Sequence, residues 1–187
     1  MEPAMPFNTS VGTLAVVAAL VAAAVGFAAF RMPQRSAPEQ PASDRVMLIL
    51  RGIANPENPR GQLDDPSALE YARRLGFRGD VLDVAGDTGG DTRQVPMALE
   101  RIRRDEAVTA IYGFSGGGYN ARLIWKELTA GERERIRKVI VIGSPEVSKA
   151  DFPGSSDVLI RADPPQGHMA GPKALLESLD PERAAGG

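Results

Sequence analysis

The sequence contains no cysteine and a single histidine, His168. Without cysteine there is no disulfide framework, no thiolate nucleophile and no thiolate metal site. One imidazole cannot build a multi-histidine zinc centre. Neither sign of charge dominates: 22 Lys and Arg stand against 24 Asp and Glu, a formal net charge of −2. That balance gives no electrostatic footprint for nucleic acid. No segment repeats. What is present is the composition of a folded domain, with 43% hydrophobic and 25% charged residues.

Charge is missing altogether from Val11 to Phe30, VGTLAVVAALVAAAVGFAAF. A helix of that length spans roughly 30 Å, the thickness of a bilayer core. The lead-in MEPAMPFNTS carries Glu2 and no Lys or Arg, whereas a secretory signal peptide wants a positive n-region. Residues 11–30 are therefore expected to be an uncleaved single-pass anchor. A cleaved signal peptide with export, using small residues such as Ala22 and Ala24, is the alternative. Arg31, Arg35 and Arg45 follow the span and nothing basic precedes it, which favours a cytoplasmic domain under the positive-inside rule. Residues 31–44, RMPQRSAPEQPASD, lack apolar periodicity and read as an extended Pro-rich tether. The expected organisation is thus a membrane segment over 1–30, a linker over 31–44 and one domain over 45–187. The roughly 157 residues after the span give room for one core and not two.

Within the domain, short apolar runs alternate with helical patterns. Strands are expected at 45–50 (RVMLIL), 80–85 (DVLDVA), 108–114 (VTAIYGF), 138–143 (KVIVIG) and 157–161 (DVLIR). Between them, Asp64-Asp65-Pro66 opens a helix over SALEYARRLGF, and Val95, Leu99 and Ile102 share one helical face. A further helix over 119–128 buries Leu123, Ile124, Trp125 and Leu128, and a last one covers 172–179. The mixed-charge stretch 132–138 (ERERIRK) reads as a solvated helix or turn surface. The strand runs are nearly continuous in apolar residues, the mark of a mostly parallel sheet covered on both faces. The expected fold is α/β, a compact three-layer sandwich on about five strands.

Gly113-Phe114-Ser115-Gly116-Gly117 fits G-x-S-x-G between a strand and an amphipathic helix. A turn there is tight and strains its central residue, so the positions two before and two after must be small. Gly113 and Gly117 fill those positions. Such a turn lifts the Ser115 hydroxyl to a helix N-terminus and aims the Gly116 N–H at charge developing on a carbonyl oxygen. Two other readings of the same residues are a close-packed structural turn and an anion-binding loop. The stretch lacks the Lys and the spacing of a P-loop.

A serine hydroxyl needs a base, and His168 is the only imidazole. It lies in the Pro/Gly-rich loop after the last strand, on the edge where open parallel sheets gather ligands. Asp163 ends the same strand and is the first candidate to orient the ring; Glu146, after the preceding strand, is the alternative, with Asp151 and Asp157 further back. The order Ser115, Asp163, His168 is that of a hydrolase of this topology. The second oxyanion donor is expected from Arg51-Gly52-Ile53-Ala54, through the N–H of Ile53 or Ala54. Asp83, Asp87 and Asp91 fit no calcium-loop spacing and read as turn residues.

The segments IYGFSGGGYN around Ser115 and DPPQGHMAGP after Ala162, with RGIANP at Arg51, resemble the α/β-hydrolase superfamily, in particular its small, lid-poor members similar to cutinases and related serine esterases. The resemblance runs from Val46 to Leu179. It implies a Ser-His-Asp acyl-transfer mechanism on esters, without metal or cofactor, and a small ester or acyl group as the partner of the site. The short connections leave little space for a lid, so a shallow, open cleft is expected. Transfer of the acyl group to another acceptor and a non-catalytic scaffold on the same fold are the competing functions.

Overall fold

A computed structural model describes residues 44–54, 59–83 and 93–180. All of them belong to one compact unit, Ala42–Gly187. The expected membrane segment over 11–30 and most of the linker lie outside the described residues. Among the described residues no helix is long and apolar enough to cross a membrane.

Five strands form one sheet: β1 Val46–Leu50, β2 Arg78–Leu82, β3 Val108–Phe114, β4 Lys138–Ile142 and β5 Asp157–Arg161, in the order β2-β1-β3-β4-β5. Every pairing is parallel. The helices are α1 Asp65–Arg74, α2 Gln94–Arg104, α3 Gly116–Glu127, α4 Ala130–Arg135 and α5 Gly171–Glu177. Alternate residues of each central strand feed opposite layers. Val46, Leu48 and Leu50 of β1 join Ile111, Val139 and Val141 under α2 and α3, where Ile102, Ile124 and Trp125 are buried. Met47 and Ile49 join Tyr112, Phe114, Ile140 and Ile142 under α1 and α5, with Tyr71 and Leu175. The sandwich has the three layers expected from the doubly buried strand pattern.

Local signals explain most of the element boundaries. Asp64 caps α1, its carboxylate accepting the Ser67 N–H at 3.2 Å, and Pro66 stands in the first turn, where its missing N–H costs nothing. The charged stretch resolves into α4, whose Thr129–Glu132 capping box satisfies two first-turn groups; it buries none of its own residues, and Ile136 just beyond it is fully buried. Several boundaries shift by one to three residues, and two of the shifts have a clear cause. β2 spans 78–82 where 80–85 was expected, with 84–85 outside the described residues; it starts early because Gly76 at φ +75° ends α1 abruptly and buried Phe77 carries the chain straight into the sheet. α3 starts at Gly116, three residues before the expected start. Three glycines are poor helix formers, but packing against β1 and β4 overrides propensity here, as the site shows below.

The connectivity matters for function. From β1 the chain runs outward to β2, then crosses to the other side of β1 to make β3. The C-terminal ends of β1 and β3 therefore form the switch point where ligands of open α/β sheets bind.

Two predictions follow from this frame. Ile111 is fully buried in the central strand, so Ile111→Ala should lose about 2–5 kcal/mol in chemical denaturation, against under about 0.5 kcal/mol for exposed Met97→Ala. Hydrogen bonds from Arg73 and Arg74 hold the Glu70 carboxyl down at about 2, below its ordinary 4.5. Its small contribution is complete above pH 4.5 and vanishes as pH falls to about 2. Glu70→Gln should accordingly flatten the stability profile in that window and leave it unchanged in shape at neutral pH.

Candidate active site

Pairing register sets the stage. Leu50 faces Gly113, Gly113 faces Val141, and Val141 faces Ile160. Two residues further along each strand, Gly52, Ser115, Gly143 and Ala162 come level at the C-terminal edge. Ser115 thus stands in a row of small residues, with nothing bulky on either side of it in the sheet.

Ser115 is the only described non-glycine residue with positive φ, at φ 52° and ψ −119°. A serine held there stores strain that its surroundings must over-determine. Its N–H donates to the Ile142 carbonyl at 2.8 Å, and its carbonyl accepts from the Ser144 hydroxyl at 2.6 Å and from the Gly118 N–H at 2.9 Å. The glycines allow the closeness. A Cβ on Gly113 would lie 2.6 Å from the Gly117 carbonyl oxygen, and one on Gly117 would overlap the Leu50 carbonyl oxygen. At Gly117 the contact is backbone against backbone, which cannot yield; Gly118 faces the side chains of Ser144 and Val141, and Gly116 faces the Ile53 side chain and amide nitrogen, so all three positions after the serine are crowded.

The His168 Nδ1 lies 2.7 Å from Asp163 Oδ1. Donation from Nδ1–H to the carboxylate leaves Nε2 with its lone pair free. Two neighbours fix the ring. Phe114, fully buried, stacks on it at 4.7 Å between centroids and 27° between planes. Gly143, at φ +65°, supports it from below, since a Cβ there would lie 2.6 Å from Asp163 Oδ1 and 2.7 Å from His168 Cε1. The imidazole therefore stands over the end of β4, about one strand spacing of 4.8 Å from the end of β3 where Ser115 sits. Among the described residues the Ser115 hydroxyl makes no hydrogen bond, to His168 or to any other group. Side chains of Asp163 and His168 are 43% and 33% exposed, so the site opens directly to solvent.

The loop after β1 meets the serine turn. A Cβ on Gly52 would lie 3.0 Å from the Ser115 Cβ, and a Cβ on Gly116 would lie 3.1 Å from the Ile53 nitrogen. The Ile53 amide nitrogen thus lies against Gly116, and Gly52 lies against the Ser115 side chain. Gly116 opens α3, so its N–H belongs to the first helical turn. The Ile53 N–H has no acceptor among the described residues.

Of the residues singled out in the sequence, Ser115, Gly116, Ile53, Asp163 and His168 converge here, framed by Gly113 and Gly117. Glu146 is exposed and makes no hydrogen bond or ion pair with the imidazole. Asp151 caps the short 3-10 turn Lys149–Asp151, and Asp157 pairs with Lys138 across the strands. Asp83 pairs with Arg60, while Asp87 and Asp91 lie outside the described residues. Among the described residues no cluster of His, Asp and Glu has the geometry of a metal site. Gly143, Phe114 and Ser144 contribute to the site without having stood out in the sequence. The dipeptide Gly143-Ser144 closing a strand was the available signal for two of them.

No protein-family model matches this chain, and no functionally curated protein shows significant sequence similarity to it. Solved structures do match. A Trichoderma reesei cutinase in complex with a phosphonate inhibitor superposes with a TM-score of 0.52 at 20% identity, over 77% of this chain and 75% of the cutinase. A protein from Xanthomonas campestris pv. campestris assigned to the alpha/beta hydrolase superfamily matches at 20% identity and TM-score 0.45, over 76% and 82% of the two chains. A lidless a/b serine hydrolase from Xanthomonas campestris matches at 18% identity and TM-score 0.47, over 78% and 69%. At this level of identity the cutinase likeness establishes the fold, and the chain has the α/β-hydrolase fold.

The role of Gly143 yields a clean test, because the chain has one histidine and hence one set of imidazole signals. In Gly143→Ala the new methyl group meets both Asp163 and His168, and a non-glycine residue is strained at that φ. The downfield Nδ1 proton resonance of the carboxylate-bonded ring should be present in the parent protein and lost in Gly143→Ala.

Proposed function

We propose that this protein is a serine hydrolase that cleaves carboxylic esters through an acyl-enzyme on Ser115. The observation that carries the reading is the 2.7 Å Asp163–His168 pair standing one strand away from a serine held at positive φ. A serine so strained is costly to keep, and a serine hydroxyl left without a partner at a sheet's C-terminal edge is placed to meet a ligand.

The chemistry proceeds in two balanced halves. Ser115 Oγ attacks the ester carbonyl carbon while His168 Nε2 takes the hydroxyl proton. Asp163 stabilises the imidazolium through the Nδ1–H bond and keeps the ring in the productive tautomer. The N–H groups of Gly116 and Ile53 bind the oxyanion, which carries charge only once attack has begun. The carbon–oxygen bond to the leaving alcohol then breaks, and Nε2 returns the proton to that alcohol. Water next attacks the acyl carbon, giving its proton to Nε2. Collapse releases the carboxylic acid and restores the Ser115 hydroxyl with that proton.

The missing Ser115–His168 hydrogen bond is the feature that favours a second reading, a non-catalytic scaffold on the same fold. Such bonds often tighten only with substrate present, and the scaffold reading leaves the strained Ser115 without a purpose. The membrane anchor over residues 11–30 remains part of the proposal. It places the enzyme at a bilayer surface, and extraction of the full chain with alkaline carbonate should leave it in the membrane pellet.

Turnover of p-nitrophenyl esters by the purified soluble domain tests the chemistry. Ser115→Ala should lower kcat by about a thousandfold or more, and Asp163→Asn by about a hundredfold or more. Glu146→Gln should match the parent. Equal rates for Ser115→Ala and the parent would eliminate the serine mechanism, and a large loss in Glu146→Gln would move the acid to that residue.

A further inference from the structure

The Ile53 N–H reaches the serine turn from a loop whose second residue, Gly52, has no side chain to restrain it. The restraint comes from outside. The Gly52 N–H donates to the Gln62 carbonyl at 2.8 Å, and the Gln62 N–H returns a 3.4 Å bond to the Ile53 carbonyl. One residue earlier, Arg51 is held on two sides. Its guanidinium grips Asp65, the first residue of α1, at 2.7 and 2.5 Å. Its carbonyl accepts from Gln94 Nε2, on the first residue of α2, at 3.1 Å. Arg51 and Gln94 are each 4% exposed.

Gln94 is satisfied on one side only: its amide nitrogen is bonded to the Arg51 carbonyl, and its Oε1 is buried and hydrogen-bonded to nothing among the described residues. An orphaned buried acceptor is destabilising, and an apolar side chain of similar length would avoid that penalty. What the glutamine supplies, and the apolar side chain cannot, is a donor to the Arg51 carbonyl. That carbonyl fixes the plane of the Arg51–Gly52 peptide. The next peptide carries the Ile53 N–H.

We propose that Gln94 is a positioning residue for the oxyanion-binding amide of Ile53, acting through the Arg51 carbonyl from the opposite side of the switch point. The inference rests on the reading of Ser115 as an acyl-transfer nucleophile. It assigns the tip of α2 to the reaction, although α2 supplies none of Ser115, Asp163, His168 or the two amides.

Gln94→Met removes the orphaned acceptor but also the donor to the Arg51 carbonyl, so kinetics and amide exchange, not melting temperature, separate a positioning role from a purely structural one. If Gln94 positions the loop, kcat of Gln94→Met on p-nitrophenyl butyrate falls about tenfold while KM stays within about twofold. Inhibition by phenylboronic acid, whose tetrahedral adduct fills the same oxyanion space, weakens in parallel with kcat. Amide hydrogen exchange at Gly52, whose N–H is bonded to the Gln62 carbonyl, speeds up, a readout that needs no substrate. Gln94→Glu, which keeps the shape and loses the donor, shows the same kinetic loss. Met97→Ala on the same helix leaves every reading at the parent value. Unchanged exchange at Gly52 in Gln94→Met overturns the inference. So does turnover that requires Ser115 but is indifferent to Gln94→Met, which leaves the hydrolase reading intact. Equal turnover in Ser115→Ala removes that reading and the inference with it.

Discussion

The site depends on one backbone conformation, the positive φ of Ser115, and on the backbone-to-backbone contacts that enforce it. A serine would leave that conformation if the chain around it could relax. It cannot, because Gly113 and Gly117 touch each other, Gly117 rests on the carbonyl of Leu50, and the amide and carbonyl of Ser115 are tied to Ile142 and Ser144. These contacts come from three adjacent strands, so the sheet itself supplies the constraint. The hydrophobic layers under α2 and α3 and under α1 and α5 hold the strands in register. Register in turn makes Gly52, Ser115, Gly143 and Ala162 level.

The same row explains how the other groups arrive. Gly143 has no side chain, so the loop after β5 folds inward over β4 and seats His168 and Asp163 there. Gly52 has none, so the loop after β1 approaches from the other side. Phe114 points away from Ser115 into the opposite layer and meets the flat of the imidazole. A small residue is used wherever a loop must cross the edge, and a large one where a ring must be held. The cost falls on local stability, and the doubly buried central strands offset it.

Much of this was legible in the sequence, for reasons that differ by element. Continuous apolar runs such as KVIVI can only be buried on both faces, so the parallel sheet and its layers followed directly. Ser115 was legible because a glycine-flanked serine between a strand and a helix has few other uses. His168 stood out through scarcity, being the only imidazole. Asp163 was preferred to Glu146 from chain order, and the 2.7 Å contact bears on that choice directly. The early start of α3 was hidden, since helix propensity argues against three glycines and only tertiary packing against β1 and β4 reveals their purpose. Gln94 was hidden too. It lies 43 residues from Arg51, and nothing in a polar residue at a helix start announces a carbonyl in the loop after β1. Gly143 and Phe114 act through spatial neighbours that local patterns do not encode.

The central claim is that His168 activates Ser115. The most direct measurement is the rate and site of covalent labelling by a fluorophosphonate, followed by intact mass and peptide mapping in the parent and in His168→Ala. The account predicts one adduct per chain, on Ser115, forming at least about a hundredfold more slowly without the imidazole. An unlabelled parent protein, an adduct on another residue, or equal rates in the two proteins would contradict it.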